Sequence, residues 1–259
     1  LPSVQYIHFP QFNRHHTGVE SAGRWNRGWT RLAGLEDRTL SADARLLANS
    51  AWTADVVAEI YGRTPTVCHP PVDPAPAPRD WADRECGIVT LGRIAQDNRI
   101  LDAIRILDGL RDSGHDVHLH LVGSAAPAYA DYVSRVRRAA AGRDAVRLES
   151  DVPRDRVQHL IATHRYGLNT KPNEHFGMAV AEFVAGGMLA FAPDSGGQRE
   201  ILDGDERQLF GSPEEAVERL HRAITRDRRP TLPRDRFARD RFEEAIRSVV
   251  RETIAATDR

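Results

Sequence analysis

From residue 87 onward, short apolar runs alternate with longer stretches in which apolar residues recur at helical spacing. The runs are GIVTLG (87–92), DVHLHLVG (116–123), AVRLES (145–150), YGLNT (166–170) and MLAFAP (188–193). A helical pattern follows each of them, most clearly ILDAIRILDGLRD at 100–112. This alternation predicts an α/β fold with a parallel, doubly wound sheet, in which ligands bind at the carboxyl ends of the strands. Functional residues are therefore expected in the loops that follow these strands.

A proline-rich segment divides the chain. HPPVDPAPAPRDW (69–81) contains five prolines, which exclude a helix or a central strand and predict an interdomain linker. Upstream, the sequence predicts strands at VQYIHF (4–9) and RLLANS (45–50), then a helix with Ser50 as N-cap and Gly62 as terminator. We predict one domain over residues 1–72 and a second over 73–259, the second ending in a charged helix from about 234 to 256.

Composition narrows the class of protein. The net charge of −1 over 259 residues gives no reason to expect a nucleic-acid partner. Cys68 and Cys86 form no disulfide or zinc pattern, and no apolar run reaches the roughly 18 residues of a membrane span. These features predict a cytoplasmic protein. Lys171 is the only lysine, in a chain otherwise rich in arginine.

The loop after the first of these strands reads LGRIAQDNR. It lacks the G-x-G-x-x-G fingerprint, which argues against a dehydrogenase. Arg93 stands at the carboxyl end of the strand and Arg99 lies a short distance beyond it, and a guanidinium there can bind a diphosphate through two hydrogen bonds. Taken alone, a surface arginine in an arginine-rich chain is the better interpretation of either residue.

The stretch NEHFGMAVAE (173–182) combines acidic residues with a helix start. Glu174 precedes the predicted helix, Phe176 and Gly177 stand at its beginning, and Glu182 lies about two turns inside it. Free backbone N–H groups at a helix start suit anionic or hydroxyl oxygens, and carboxylates accept hydrogen bonds from the vicinal hydroxyls of sugars. The alternative, equally consistent with the spacing, is that Glu174 complements the helix dipole and Glu182 is a solvated face residue.

Other candidates are weaker. Gly196 and Gly197, in PDSGGQREIL, make an open turn that offers a second place for backbone contact with a ligand. His8, at the carboxyl end of the first strand, is placed to line a cleft between the domains, although a lone histidine is more often structural. His118 and His120 alternate on one strand face, but the sequence shows no third metal ligand, so core or surface histidines are the better interpretation.

Together these segments resemble the retaining glycosyltransferases of family 4, whose fold is GT-B. VTLGRIAQDNRILDAI is similar to the strand–GR–helix segment of that family, and NEHFGMAVAEFVAGGMLAFAPDSGGQREIL is similar to its E-x7-E block and following Gly-Gly loop. The EHFG form, with YIHFP and ANSAWTADVVAEIYG upstream, is closest to the branch of lipid-linked-oligosaccharide mannosyltransferases. The resemblance implies one complete Rossmann-like parallel-sheet domain, preceded by the last part of a second, truncated Rossmann-like domain on the acceptor side.

The resemblance also implies a role for each matched residue. Arg93 would bind the donor diphosphate, Glu174 would face the donor sugar, and Glu182 would hold the hydroxyls of the nucleotide ribose. The sugar or phosphate would meet backbone amides at Phe176, Gly177 and Met178, and His8 would match a donor-proximal position. The family pairs its arginine with a lysine, where this chain has Asn98 followed by Arg99. Loss of a cation beside a developing pyrophosphate costs on the order of several kcal/mol.

These features lead to one functional expectation and one alternative. The expected enzyme moves a sugar from a GDP- or UDP-linked donor to a hydroxyl of a glycan or lipid-linked acceptor, with retention and without a metal or other cofactor. It would act in the cytoplasm or at the membrane periphery. The alternative is a catalytically impaired nucleotide-sugar-binding fragment, or a subunit of a split glycosyltransferase that pairs with a chain supplying the missing N-terminal strands.

Overall fold

Two parallel β-sheets organise the residues that the computed structural model describes, which are 3–8, 44–73 and 78–257. The first sheet has the strand order β1–β2–β3 and the second has the order β6–β5–β4–β7–β8–β9. The strands are β1 Ser3–Ile7, β2 Ala44–Ala48, β3 Thr66–Val67, β4 Glu85–Leu91, β5 His118–Gly123, β6 Val146–Ser150, β7 His164–Leu168, β8 Leu189–Pro193 and β9 Leu209–Phe210. Their pairings are parallel, as the alternation of strands and helices predicts.

The helices follow the strands in the predicted order. They are α1 Ala51–Tyr61, α2 Ile100–Asp112, α3 Ala130–Ala140, α4 Arg154–Thr163, α5 Met178–Ala185, α6 Gln198–Ile201, α7 Pro213–Thr225 and α8 Arg239–Thr257. Short 3-10 turns occur at Trp81–Asp83, Gln96–Asn98 and Pro127–Tyr129. No helix among the described residues combines the length and the apolar character that crossing a bilayer requires.

Helix α1 ends where its sequence predicts. The Ser50 side chain accepts a hydrogen bond from the Thr53 amide, at 2.9 Å, and so satisfies one of the free donors of the first turn. At the other end Gly62 is left-handed, with φ 65°, and its amide donates to the Ala58 carbonyl. Both caps are therefore local consequences of the residue types.

The six-stranded sheet buries both of its faces, which explains the near-continuous apolar runs of its strands. Side chains alternate along β5: Leu119 and Leu121 belong to the core cluster that includes residues of α2, α3 and α7. Val122 belongs to the opposite cluster, together with residues of α4, α5 and α6. His118 and His120 share the parity of Val122, so they lie on the α4 side of the sheet.

A buried arginine holds the start of β4 in place. The Arg84 guanidinium, 6% exposed, donates to the carbonyls of Arg79, Ile161, His164 and Gly186 at distances of 2.8–3.4 Å. Burial, and after it the nearby positive charge of Arg234, lower the pKa of Arg84 to about 10. These bonds connect β4 to the ends of α4 and α5 and to the beginning of β7.

Two compact units divide the chain, one of Leu1–Pro70 with Asp240–Arg259 and one of Pro71–Arg239. We predicted a boundary after residue 72 with the C-terminal helix in the second domain, whereas α8 groups with the N-terminal residues. Tertiary contacts account for the difference, because Arg45 pairs with Glu252 at 3.2 Å and the Tyr6 ring meets Phe242 edge-on at 6.0 Å. Phe9 of the predicted first strand and residues 74–77 of the predicted linker lie outside the described residues.

Some boundaries differ from the sequence prediction by a few residues. The helix predicted over 176–187 begins only at Met178, because Gly177 has a φ of 111° that a helix cannot contain. The strand predicted over 166–170 occupies His164–Leu168, so the polar pair Asn169–Thr170 belongs to the loop that follows it. This shift places both side chains at the carboxyl edge of the sheet.

Candidate functional site

The loops after β4, β7 and β8 meet at the carboxyl edge of the six-stranded sheet, because β4, β7 and β8 are neighbours in it. A buried amide joins two of these loops. The Gln198 side chain is fully buried; it accepts from the Asn169 amide nitrogen at 2.6 Å and donates to the Lys171 and Pro193 carbonyls, each at 3.1 Å. Each polar group of this amide is used, so the loop conformations depend on one another.

Asn98 stabilises the loop after β4 and stands where the family that this chain resembles has a lysine. Its side-chain nitrogen donates to the backbone carbonyl of Arg93 at 2.6 Å, and its backbone carbonyl accepts from the Thr170 hydroxyl at 2.7 Å. The residue is 9% exposed. Arg99 follows in a left-handed conformation, with φ 49°, and lines a separate cavity of about 160 Å³ beside Asp194 and Ser212. Asn98 thus shapes the loop, and Arg99 faces a different space from the one that Glu182 faces.

Four charged side chains form a chain of ion pairs across the loops after β4 and β7. Arg93 lies 3.4 Å from a carboxylate oxygen of Asp97, and the same oxygen lies 3.7 Å from the ammonium of Lys171. Lys171 in turn lies 2.9 Å from a carboxylate oxygen of Glu174. The charges therefore alternate in sign from Arg93 to Glu174, and we call this series the ion-pair chain.

Arg93 is also held from the side by an aromatic residue. Its guanidinium donates to the Tyr129 hydroxyl at 3.1 Å and lies 5.7 Å from the centre of that ring. The side chain is 52% exposed, so it remains available to a ligand. Lys171 was not among the residues selected from the sequence, and the only available signal was that no other lysine occurs in the chain.

The glycine pair brings the loop after β8 against Glu174. A Cβ on Gly196 would lie 2.4 Å from the Glu174 carbonyl oxygen, and one on Gly197 would lie 2.4 Å from the His175 carbonyl oxygen. The Gly197 amide donates to the Glu174 carbonyl at 2.8 Å. The Gly197 amide is therefore used within the protein, where it positions the Glu174 backbone. Backbone contact between this turn and a ligand stays a prediction.

The start of α5 presents backbone rather than side chains. Gly177 adopts φ 111°, and its carbonyl accepts the first helical hydrogen bond, from Ala181 at 3.0 Å. First-turn amides such as that of Met178 have no partner within a helix. Phe176 is 3% exposed and packs edge-on against Phe237 at 5.3 Å, so its ring belongs to the core. Met178 is 43% exposed at the helix start.

Glu182 lines a cavity of about 540 Å³ at the ends of β4 and β5. The cavity is also lined by Gly92, Gly123 and Arg154, and its volume is within the range of small-molecule sites. One Glu182 oxygen pairs with Arg154 at 2.9 Å, and the side chain is 17% exposed. A Cβ on Gly123 would lie 1.6 Å from the Gly92 carbonyl oxygen, so only glycine permits this close approach of the two strand ends.

His8 belongs to the N-terminal unit, where it follows β1 and is exposed. Its ring meets that of Tyr6 edge-on at 4.9 Å, and its carbonyl lies 3.5 Å from the Thr53 hydroxyl. The other predicted site residues all lie in the unit of residues 71–239, at or beside the carboxyl edge of its sheet. There the arrangement offers cations and helix-start amides to phosphate oxygens, and carboxylates to hydroxyl groups.

Comparison with known proteins supplies a family. Residues 76–238 match the family described as "Glycosyl transferases group 1". A GDP-Man:Man(3)GlcNAc(2)-PP-Dol alpha-1,2-mannosyltransferase of Eremothecium gossypii is 26% identical over 164 residues, covering 58% of this chain and 28% of the relative. The enzyme of the same name from Dictyostelium discoideum is 25% identical over 224 residues, covering 77% of this chain and 44% of the relative. The chain thus spans less than half the length of these two curated relatives.

Among solved structures, Anabaena HepE in complex with UDP-glucose matches with a TM-score of 0.75 at 18% identity, over 97% of this chain and 72% of that one. The likeness confirms the predicted fold class, α/β with parallel Rossmann-like sheets of the GT-B type.

Proposed function

The chain belongs to the glycosyl transferases group 1 family, and from that membership we propose that it binds a nucleotide-diphosphate sugar and acts in transfer of the sugar to a hydroxyl group, with retention at the anomeric carbon. The observation that carries the proposal is that the cavity lined by Glu182 and the ion-pair chain lie at the same edge of one sheet. In this proposal residues 71–239 form the donor side, and the N-terminal residues belong to the acceptor side.

Glu182 is the proposed partner of the nucleotide ribose. Its Oε2 pairs with Arg154 at 2.9 Å, and a carboxylate has further lone pairs with which to accept from two vicinal hydroxyls. Gly92 and Gly123 leave the neighbouring wall of the cavity without side chains, so a planar base can approach the strand ends closely. The ion pair with Arg154 fixes the orientation of the carboxylate.

Arg93 and Lys171 are the proposed partners of the diphosphate. Both are paired with the same oxygen of Asp97, at 3.4 and 3.7 Å. The side chains of Arg93 and Asp97 are each about half exposed. Exposed pairs are worth little, so phosphate oxygens can replace the carboxylate at small cost. Lys171 would then supply the second cation that Asn98 does not, and first-turn amides of α5 such as that of Met178 would add uncharged donors.

Glu174 is the proposed contact to the donor sugar. The Lys171 ammonium, at 2.9 Å, and the backbone bond from Gly197, at 2.8 Å, hold it from two sides. The departing diphosphate would gain charge as the anomeric bond breaks, and the two cations would stabilise that charge more strongly in the transition state than in the bound donor. The acceptor hydroxyl would attack from the face that the diphosphate leaves and would pass its proton to the departing phosphate oxygen, which gives retention.

The donor proposed first is GDP-mannose, because both curated relatives are named as users of GDP-Man. A UDP-sugar is the second candidate, because the HepE structure is of a complex with UDP-glucose. A glycan or lipid-linked hydroxyl is the proposed acceptor, since the names of the relatives specify a dolichol-linked substrate. We place the activity in the cytoplasm, at the membrane periphery when the acceptor is lipid-linked.

Calorimetric titration with GDP-, UDP- and ADP-sugars tests the proposal. We expect one nucleotide class to bind and Glu182→Ala to weaken it by about ten- to hundredfold, because a carboxylate-assisted hydrogen bond is worth about 1.5–3 kcal/mol. Glu243→Ala is the matched control, since Glu243 also pairs with an arginine, Arg247 at 2.9 Å. Equal weakening in both variants, or no binding of any nucleotide sugar, would overturn the proposal. Binding without transfer would favour the alternative of an impaired donor-binding chain.

A further inference from the structure

Three histidines meet at the opposite, amino edge of the six-stranded sheet. His118 and His120 come from β5 and His164 begins β7. One ring nitrogen of each lies within 4.8 Å of those of the other two, and the Nε2 atoms of His118 and His164 are 3.1 Å apart. The sequence shows no third metal ligand near His118 and His120. In the structure His164, 46 positions after His118 in the chain, takes that place.

A glycine makes this meeting possible. In the sheet order β5–β4–β7, strand β4 separates the two histidine-bearing strands, and Gly87 is the β4 residue opposite His118. A Cβ on Gly87 would lie 2.4 Å from the His118 Nε2 and 2.5 Å from the His164 ring. Any larger residue at 87 would fill the space in which the imidazoles approach each other.

Hydrogen bonds to the Nδ1 atoms of His120 and His164 determine that the Nε2 atoms of these rings face the cluster. The Nδ1 of His120 bonds to Glu149 at 2.5 Å, and Arg156 holds that carboxylate by two bonds of 2.6 and 3.0 Å. The Nδ1 of His164 bonds to the Leu160 carbonyl at 3.0 Å. Each ring thus carries its proton on Nδ1 and turns the lone pair of Nε2 inward, as metal-binding histidines with an outer carboxylate or carbonyl do.

The inward nitrogen of His120 makes no hydrogen bond to the residues that the structure describes. The side chain is 1% exposed, and its Nε2 is buried without a hydrogen-bond partner among the described residues. A buried acceptor without a partner destabilises the folded state, because it has lost its hydrogen bond to water. A ligand that accepts the lone pair of this nitrogen would remove that destabilisation.

A carboxylate lies beside two of these rings. The Glu85 Oε2 lies 3.6 Å from the His118 Nε2 and 3.8 Å from the His164 Nε2. Two ligand atoms bound to a tetrahedral zinc ion at about 2.1 Å lie roughly 3.4 Å apart. The two Glu85 distances are close to this value, whereas the ring nitrogens, separated by up to 4.8 Å, would have to move closer by side-chain rotation. We propose that His118, His120 and His164, with Glu85 as fourth ligand, bind one divalent transition-metal ion, of which zinc is the first candidate.

The role of this ion would be structural. Four protein ligands close a tetrahedral site and leave no position for a substrate. The ligands come from β4, β5 and β7, so the ion would cross-link three adjacent strands at the edge away from the cavity of Glu182. The inference is independent of the proposed sugar transfer.

Metal binding by the full chain, without a histidine tag and after treatment with a chelator, tests the proposal. We expect one zinc ion per chain in competition with a chromophoric chelator, a higher midpoint of thermal unfolding, and a tetrahedral absorption spectrum with cobalt in place of zinc. His118→Gln and His164→Gln should each lower zinc affinity more than tenfold, and Glu149→Gln should lower it about 10- to 100-fold through loss of the outer bond.

The pair His115–His221 supplies a matched control. Its ring nitrogens lie 2.8 Å apart, yet among the described residues it has no third metal-ligating partner. His115→Gln should leave zinc affinity unchanged. Two results would overturn the inference. One is stoichiometric zinc binding that persists in His118→Gln and in His164→Gln. The other is zinc binding by the unaltered chain that is no tighter than zinc binding by a double variant lacking His118 and Glu85. His118 is 27% exposed, and far-UV circular dichroism checks that its variant folds.

Discussion

The two edges of the six-stranded sheet use glycine in different ways. At the carboxyl edge a Cβ on Gly123 would meet the Gly92 carbonyl oxygen at 1.6 Å, which is backbone and cannot move aside. At the amino edge a Cβ on Gly87 would meet the His118 ring at 2.4 Å and the His164 ring at 2.5 Å, which are side chains rather than backbone. The first glycine is therefore required by the backbone, whereas the second provides room for a cluster of rings.

The charged groups of the two edges differ in the same sense. Arg93 and Asp97 of the ion-pair chain are each about half exposed, so their pairing is weak and exchangeable. His120 and His164 are 1% and 3% exposed and are oriented by bonds to Glu149 and Leu160. Exposed, replaceable pairs suit a ligand that must bind and leave, and buried, oriented nitrogens suit an ion that remains bound.

The largest effect is expected from Gly123→Ala. Because the new methyl group would overlap a carbonyl of the adjacent strand, the free energy of unfolding should fall by about 3 kcal/mol or more. Urea unfolding measures the change. Gly142→Ala is the control: Gly142 is left-handed, with φ 79°, and a Cβ added there would meet no atom of the described residues within 4 Å. The control should cost about 1 kcal/mol, and equal losses in both variants would contradict the assignment of close approach.

Asn98→Lys tests whether position 98 can accommodate the lysine found in the family that this chain resembles. The Asn98 side chain donates to the Arg93 carbonyl at 2.6 Å and is nearly buried, so the free energy of unfolding should fall by about 2 kcal/mol. Affinity for GDP should not improve. Chemical unfolding and calorimetry give the two values, and tighter GDP binding at unchanged stability would show that the position is still suited to a cation.

Lys171→Gln tests the second cation of the ion-pair chain. If the ammonium contacts the distal phosphate, affinity for GDP should fall about tenfold while affinity for GMP stays the same, since only the diphosphate reaches the lysine. Calorimetry with both nucleotides measures the difference. Arg105→Gln removes another ion pair of three-residue spacing, with Asp102 at 3.0 Å, and should change neither affinity. A parallel loss for GMP would point to a general disturbance of the loop.

The smallest effect on stability is expected from Gly87→Ala. Because the added methyl group would meet the His118 and His164 rings rather than backbone, the free energy of unfolding should fall by only about 1–2 kcal/mol. Zinc affinity should nevertheless fall more than tenfold, and GDP affinity should not change. Loss of both affinities together would mean that the two edges are not independent.

Much of the fold follows from local pattern. The alternation of apolar runs and helical spacing predicts the order of strands and helices from β4 to α6, and Ser50 and Gly62 predict both ends of α1. The grouping of α8 with the N-terminal unit is not local, because it depends on contacts such as Arg45 with Glu252. The spacing of apolar residues predicts that a helix forms at α8, but it does not predict which surface that helix packs against.

The candidate site divides in the same way. Glu174, Glu182 and Arg93 were identifiable because their motifs place them beside strand ends, and parallel strands bring those ends to one edge. Contacts between distant segments determine that Lys171 shares an oxygen of Asp97 with Arg93, that the Gly197 amide donates to the Glu174 carbonyl, and that His164 joins His118 and His120 across Gly87. The types and order of the elements can be predicted from local pattern because they depend on neighbouring residues. Which side chains meet depends on the order of strands in the sheet, which brings together residues that the chain keeps far apart.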